Sequence, residues 1–411
     1  MSTMPCWRRS GRGGDVVKIT ALRATPVNIP LEAPYLWSYG SLAGFSKTIV
    51  EVETDEGIVG LGEGPSPANV PTIEKVFAPR LLGRDPIDIA GAELLCLPSW
   101  GGVGTADVDL ASIRAFGAVE MALWDIRGKA WGKPLYELLG GAFRKGITFT
   151  DYFAFREQRD GIGGETSPEE VADYCQALAE THGTTMFEGK LSTANPARSI
   201  RLVALLRDRL GPAATLRIDS NKAYSLTEAI RIARALEPLD IRCWEDPVAR
   251  FEDMAKLRRH TNIRFSAHTP DVLRAVLLGT PDAFSTDVNV HGGIARTVRF
   301  IGACESMGFD FWCYSGDSGI ASAAYLHLAA AHAHIREPSQ SLFCMQPIDV
   351  IEEGPFRPRR NVVPVPEGPG LGVTLSRAKL AHCHKLFVDQ GPYDKFHDPE
   401  RPGIFRRLPL R

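Results

Sequence analysis

The sequence predicts a closed (β/α) barrel preceded by a smaller α+β domain. From about residue 147, short β-rich runs alternate with amphipathic segments, a pattern typical of a parallel sheet with covering helices. Seven or eight such units in roughly 200 residues favour a closed barrel over an open sheet. The chain has 411 residues, of which 44% are apolar, so it is long enough to bury the core of a barrel and of a second domain.

Residues 17–140 predict the α+β domain. The runs "KITALRATPVNI" and "KTIVEVETDEGIVGLGEG" are typical of antiparallel strands, with a hairpin turn at 55–57 and a loop, "PLEAPYLWSYGSLAG", before the second run. The stretch "AVEMALWDIRGKAWGKPLYELLG" has apolar residues at helical spacing and ends at Gly140 and Gly141, a helix stop. Residues 1–16 contain Arg and Gly without an apolar run, so we expect a disordered extension rather than a signal peptide.

Residues 141–355 predict the barrel, and residues 356–411 predict a tail with its own strand and helix that packs back on the front domain. The predicted barrel strands, in chain order, are "ITFTDYFAF", "TMFEGKL", "TLRIDS", "IRCWED", "IRFSAH", "DAFSTDV", "DFWCYS" and, less clearly, "SLFCMQPI". Amphipathic stretches such as "PARSIRLVALLRDRLG" and "ARTVRFIGACESMG" separate them and predict the barrel helices.

Composition excludes several classes of function. The net charge is −2, with 47 basic and 49 acidic residues, so the chain lacks the strongly basic balance of a nucleic-acid-binding protein. No apolar run approaches the length of a membrane span. The eight cysteines are scattered without a C-x-x-C pair, which predicts reduced, mostly buried thiols in a cytoplasmic protein.

Polar residues stand at the ends of six successive predicted strands, where a (β/α) barrel carries its chemistry. They are separated by 19 to 29 residues, about one βα unit each: Lys190, Asp219 (with Asn221), Glu245, His268, Asp287 and Tyr314. Any one acid alone is more often a helix cap or a solvated loop charge. Six in succession are different, because unpaired charges that converge in a barrel mouth are costly unless something compensates them.

A divalent cation would compensate such a cluster. Asp219 and Glu245 offer the hard oxygen ligands that Mg²⁺ prefers. A lysine that is desolvated beside a metal, such as Lys190, can have its pKa lowered enough to act as a base. This combination suits removal of a proton α to a carboxylate, because a metal on the carboxylate oxygens can neutralise the enolate that forms.

Three segments carry a family resemblance. "ALWDIRGKAWGKPLYELLGG", "RIDSNKA" and "WEDPV", together with the overall layout, resemble the enolase superfamily, and more narrowly its mandelate racemase and acid-sugar dehydratase (glucarate dehydratase-like) branch, over residues 17–411. The resemblance implies a modified (β/α)7β barrel with a capping domain formed by the N-terminal segment and the C-terminal tail. It also implies small-molecule carboxylate substrates and a homo-oligomer.

The resemblance further implies an essential Mg²⁺ on three strand ends, which here are Asp219, Glu245 and, by spacing, His268. It implies a Lys-x-Lys motif, in which Lys190 takes the place of the second lysine and acts as base, while Glu188 stands where the first is expected. A His–Asp dyad should follow, and here Asp287 fits the aspartate while Tyr314 takes the place of the histidine.

His268 is one departure from the family pattern, because an imidazole replaces an oxygen ligand. A neutral, softer ligand suits Mn²⁺ or another transition metal better than Mg²⁺. In "FSAHTPD", Thr269 and Pro270 predict the cap and first residue of a helix, so the strand must end at His268. Asp271 is the alternative third ligand, although an acid in a first helical turn has its own explanation.

Tyr314 is the departure that bears on the reaction. Its phenol, with an unperturbed pKa of about 10, is a poor base at neutral pH but a reasonable proton donor to a leaving hydroxide. We therefore expect dehydration of a hydroxy acid, with a racemase or epimerase, or a metal-binding homologue without activity, as the alternatives. An aromatic that fills the barrel mouth is the structural alternative for Tyr314.

The substrate pocket is expected to involve the loop at 31–44 and two polar residues of the barrel. We expect Trp37 and Tyr39 of that loop, with Asn221 and Glu188, to contact the substrate. Loop aromatics can equally pack on the barrel rim. The loop lacks the Arg and Lys density expected for binding a second carboxylate, which weakly favours a monocarboxylate.

Overall fold

Two β-structures organise the residues that the computed structural model describes, which are 17–38, 40–97, 110–191, 195–315, 318–394 and 396–399. The first is an antiparallel sheet of β1 (Ile19–Trp37), β2 (Gly40–Thr54) and β3 (Val59–Gly64). The second is a parallel barrel in which β4 to β11 pair in order and β11 closes on β4. The barrel strands are β4 (Gly146–Phe153), β5 (Met186–Lys190), β6 (Thr215–Asp219), β7 (Cys243–Glu245), β8 (Phe265–Ala267), β9 (Ala283–Thr286), β10 (Asp310–Ser315) and β11 (Ser339–Ser341).

Helices connect the first seven barrel strands to the next, and β11 is followed by a 3₁₀ turn, Phe343–Met345. The predicted (β/α)7β barrel is therefore confirmed. Its last strand begins at Ser339, before the "SLFCMQPI" run, whose "FCM" forms the 3₁₀ turn. The α-helices are α1 (Val70–Thr72), α2 (Ala78–Leu81), α3 (Ile89–Cys96), α4 (Leu110–Trp131), α5 (Leu135–Leu138), α6 (Pro168–His182), α7 (Pro196–Leu210), α8 (Leu226–Leu236), α9 (Phe251–Leu257), α10 (Val272–Leu278), α11 (Val288–His291), α12 (Ile294–Met307), α13 (Gly319–Ala331) and α14 (Arg377–Gln390).

The barrel helices begin where side chains can satisfy their free backbone N–H groups. Ser167 and Ser225 start α6 and α8 with capping boxes. The predicted start of α10 at Thr269 and Pro270 is wrong by two residues. Asp271 is the cap, because its Oδ1 accepts from the Arg274 backbone N at 3.0 Å, while the Thr269 hydroxyl accepts from Lys222 Nζ at 2.8 Å.

In the N-terminal domain, β3 packs closely against α4. A Cβ atom at Gly62 would lie 1.9 Å from the Ala118 carbonyl oxygen, so only glycine permits this approach. The helical run predicted up to Gly140 is interrupted. α4 ends at Trp131, Gly132 takes a positive φ of 63°, and α5 begins after Pro134.

The predicted loop at 31–44 is wrong, because the β1–β2 ribbon continues through it. Tyr35 pairs with Leu42 and Trp37 with Gly40, after a register shift beyond Pro30. The ribbon tip reaches the barrel, where Leu36 N donates to Phe155 O at 2.8 Å. The aromatic residues that suggested a flexible cover instead form the end of a paired ribbon held on the barrel mouth.

The C-terminal segment contacts both β-structures. Its strand β12 (Val362–Pro364) pairs antiparallel with β4, and α14 lies against β1, where Asn28 Nδ2 donates to Gly391 O at 2.8 Å. The domain boundaries at 140 and 355 stay predictions. No described helix is long and apolar enough to cross a membrane, and the seven described cysteines carry free thiols.

Candidate active site

Lys190 and Asp219 lie side by side at the ends of the adjacent strands β5 and β6. Lys190 Nζ forms an ion pair with Asp219 Oδ2, and the two residues are 3% and 0% exposed. Asn221 fixes the same carboxylate, because its backbone N donates to Oδ1 at 2.7 Å and its Nδ2 donates to Oδ2 at 2.8 Å. Asn221 adopts a left-handed φ of 46°, a conformation that asparagine tolerates better than most residues. Asn221 thus orients Asp219, and its predicted contact with substrate stays a prediction.

Glu245, on the next strand, is the unsatisfied carboxylate of the cluster. It pairs in register with Asp219 and is 1% exposed. Neither of its carboxylate oxygens has a hydrogen-bond partner among the described residues. His268 Nδ1 lies 3.2 Å from Glu245 Oε1, within ion-pair distance but outside hydrogen-bond geometry. The structure therefore brings the three predicted metal ligands to neighbouring strand ends.

The electrostatics of this cluster show too little positive charge for its acids. Burial, with Asp219 and Glu188 nearby, raises the pKa of Glu245 well above its usual range. Burial acts to raise the pKa of Asp219 as well, but Lys190 and His268 outweigh it and lower that pKa. Burial acts to lower the pKa of Lys190, but Asp219 outweighs it and raises that pKa above its ordinary value.

These properties fit a cation site whose ligands are not yet arranged around one point. The buried, unpartnered oxygens of Glu245 and the unpartnered Nδ1 of His268 are the donors that a divalent ion would use. Within the described ranges, no three His, Cys, Asp or Glu side chains form a ready metal-binding group, and Asp219 is held by Lys190. The ligand set Asp219, Glu245 and His268 stays a prediction.

His268 and Tyr314 face each other at the open edge of the cluster. Their ring centroids are 4.9 Å apart, and 29% of the His268 side chain is exposed. Burial lowers the pKa of His268 to about 4; Asp219 opposes this shift, and Lys190 and Lys222 reinforce it. The imidazole is therefore neutral at physiological pH, as a metal ligand must be.

The two acids with ordinary structural explanations both cap helices. Asp287 Oδ1 accepts from Val290 N at 2.8 Å at the start of α11, and the residue is only partly buried. Asp271, the alternative metal ligand, caps α10. A cap is the common role of an acid in this position, so the catalytic role of Asp287 stays a prediction.

Glu188 lies deeper in the barrel than Lys190, on the same face of β5. It is fully buried and forms an ion pair with Arg217, whose Nη2 is 2.7 Å from Glu188 Oε2. Arg217 also donates to Pro338 O at 2.7 Å and stacks 4.4 Å from the Trp312 ring centroid. We did not anticipate Arg217, although it alternates with Asp219 along β6 and must therefore face inward. The proposed contact of Glu188 with substrate stays a prediction.

A cavity of about 560 Å³ lies between the ribbon tip, the C-terminal segment and the barrel mouth. Trp37 and Tyr314 line it, and the Trp37 ring centroid lies 5.9 Å from Lys190 Nζ, so the cavity adjoins the charged cluster. Tyr39 lies outside the described residues. Lys47 and Arg114 also line the cavity, cations from outside the loop on which the expectation of a monocarboxylate was based.

Comparisons with known proteins agree with this architecture. Residues 19–140 match the model of the mandelate racemase / muconate lactonizing enzyme N-terminal domain, and residues 170–379 match that of the enolase C-terminal domain-like family. A probable glucarate dehydratase of Streptomyces coelicolor is 27% identical, with 90% of this chain and 92% of the relative covered. An N-succinyl-L-Arg/Lys racemase of Bacillus cereus is 26% identical, with 76% and 84% covered.

A solved structure extends the comparison to the fold. The enolase of Thermobispora bispora, complexed with magnesium and formate, has 28% identity and a TM-score of 0.82, with 92% of this chain and 95% of that chain covered. The two relatives carry out different reactions, so likeness alone does not choose between dehydration and racemisation.

Proposed function

The chain belongs to the mandelate racemase / muconate lactonizing enzyme family of the enolase superfamily, and from that membership we propose that it dehydrates a hydroxy acid. The reaction begins with removal of the proton α to the carboxylate. One observation carries the proposal: Lys190 lies against Asp219 at a strand end, beside a Glu245 carboxylate with no partner among the described residues. A base next to an acid cluster that can take a cation is what α-proton abstraction requires.

The cofactor is a divalent metal, and magnesium is the ion that the Thermobispora relative binds. Asp219, Glu245 and His268 would hold it, because they are adjacent and two of them present unpartnered donor atoms. When bound there, the ion would neutralise the negative charge that develops on the substrate carboxylate. The imidazole ligand keeps Mn²⁺ as the alternative ion.

Lys190 must change its partner before it can act as base. Its ion pair with Asp219 holds it as an ammonium, with a raised pKa. When the negative charge of Asp219 is satisfied by other means, burial alone remains and favours the neutral amine. Lys190 would then accept the α-proton, while Trp37 covers it from the cavity side.

Tyr314 favours dehydration over racemisation. A racemase needs a second base on the opposite face of the substrate, and the expected position here carries a phenol. A phenol is protonated at neutral pH and can give its proton to a departing hydroxide. Tyr314 lines the cavity and contacts His268, so it borders both the substrate space and the predicted metal ligands.

The proposal is tested with a panel of small hydroxy acids and acid sugars, assayed by mass spectrometry with Mg²⁺, Mn²⁺ or EDTA. We expect loss of water from at least one acid, dependence on the metal, and a decrease of about 100-fold or more in Tyr314→Phe. A product of unchanged mass but altered configuration would instead support a racemase or epimerase. If no acid shows turnover with either metal, the activity proposal is wrong and the chain is a metal-binding homologue.

A further inference from the structure

Tyr152 places a phenolic hydroxyl inside the barrel, near Lys190. It stands on β4 and pairs in register with Glu188 on β5. Thr150, two residues earlier on β4, donates its hydroxyl to Glu188 Oε2 at 3.4 Å, so that face of β4 points into the barrel. Because side chains two residues apart share a strand face, Tyr152 also points inward, nearer the carboxyl end where the site lies.

The Tyr152 hydroxyl is buried without a hydrogen-bond partner in the part of the chain that the structure describes. Its ring is held edge-to-face against Tyr35, with centroids 6.1 Å apart. Burial raises the pKa of Tyr152, and Asp219, Tyr314 and Glu188 are near enough to raise it further. The group is therefore a hydrogen-bond donor rather than a base, and an unsatisfied buried hydroxyl costs about 1–3 kcal/mol unless an acceptor meets it.

The position of Tyr152 indicates which acceptor that is. In the eight-stranded order β4 to β11, β8 is four strands from β4 in either direction, so Tyr152 stands across the barrel from His268. The substrate carboxylate is expected at Asp219, Glu245 and His268. The part of the substrate that extends toward β4 is therefore its hydroxyl-bearing carbon chain.

We infer that Tyr152 is a further substrate-contacting residue, which donates its O–H to a hydroxyl oxygen of the bound acid. This inference rests on the proposed function. It adds a specificity determinant that favours hydroxylated acids over their deoxy analogues, because an acid without that oxygen leaves the buried phenol unsatisfied.

The test is titration calorimetry on the full-length, magnesium-loaded protein with tartrate and succinate, which share a four-carbon diacid skeleton and differ in two hydroxyls. We expect Tyr152→Phe to weaken tartrate binding about tenfold and to leave succinate binding within about twofold. Tyr136→Phe is the matched control, because Tyr136 is buried against His327 at the contact of α5 with α13 and should change neither affinity. Thermal unfolding should be unchanged in Tyr152→Phe, since the ring against Tyr35 is retained.

Two results overturn the inference. Equal tartrate affinity in the wild type and Tyr152→Phe shows that the hydroxyl does not contact the ligand. Equal weakening of tartrate and succinate shows that the residue acts through packing. Either result leaves the proposed function intact, whereas a magnesium-loaded wild type that binds neither acid contradicts the proposed function and the inference together.

Discussion

Removal of Arg217 should destabilise the barrel strongly, because it leaves Glu188 buried without a counter-charge. Both side chains are almost inaccessible, at 1% and 0% exposure, and they form an ion pair. Breaking a buried pair from one side costs about 3–5 kcal/mol. For a chain of this length the unfolding entropy is about 0.9 kcal/mol per kelvin, so Arg217→Met should lower the melting temperature by about 5 °C.

The size of this effect should depend on pH, because Glu188 can remove its own charge. Burial already raises the pKa of Glu188, and Arg217 opposes that shift. Without Arg217 the folded-state pKa should rise further. The folded protein then keeps a proton that the unfolded chain releases, so stability falls as pH rises through that interval. The difference between Arg217→Met and the wild type should therefore shrink at acidic pH.

Urea denaturation at neutral and acidic pH, with two matched variants, tests this reasoning. The double variant Arg217→Met with Glu188→Gln should recover most of the loss, because no buried charge remains. Arg274→Met is the control, since the Arg274–Glu252 pair is 49% and 38% exposed and should contribute less than about 1 kcal/mol. An equal loss in the single and double variants at both pH values would refute the role assigned to the charge.

Three further predictions concern separate parts of the molecule. Burial raises the pKa of Glu120 to about 7, so wild-type stability should fall by about 3 kcal/mol as pH rises from the ordinary carboxyl range to 7, and Glu120→Gln should flatten that profile in urea melts. Asn221→Gly keeps the left-handed backbone but loses the Nδ2 bond to Asp219, and should weaken Mg²⁺ binding about 10-fold or more by calorimetry; unchanged affinity would remove Asn221 as a support of that carboxylate. His268→Asn should retain Mg²⁺ binding better than His268→Ala, and equal affinity in wild type and His268→Ala would exclude His268 as a ligand.

The barrel could be predicted from the sequence because each of its strands is short, apolar and followed by a polar residue and a helix. The errors occurred where a local signal had a competing use. Thr269 and Pro270 have the chemistry of a helix start, but the Thr269 hydroxyl is engaged by Lys222 and the helix begins after Asp271. The aromatic residues before Gly40 are compatible with a loop, but pairing in the β1–β2 ribbon takes precedence.

The charged cluster at the strand ends could be predicted for the same reason, since consecutive parallel strands end at one edge. Spacing alone brought Lys190, Asp219, Glu245 and His268 together. The residues below that edge could not be predicted, because Arg217 and Tyr152 become meaningful only when the direction of each side chain is known. Their partners come from strands distant in sequence, as with the contact of Arg217 with Pro338.

Exchange of the α-proton of an acid substrate for deuterium, followed by NMR in D₂O, tests the central claim most directly. The account predicts exchange with Mg²⁺ in the wild type and in Lys145→Ala, where an exposed lysine paired with Glu367 is lost. Exchange in Lys190→Ala should be slower by about 100-fold or more. Exchange in Lys190→Ala at the wild-type rate would contradict the assignment of Lys190 as the base.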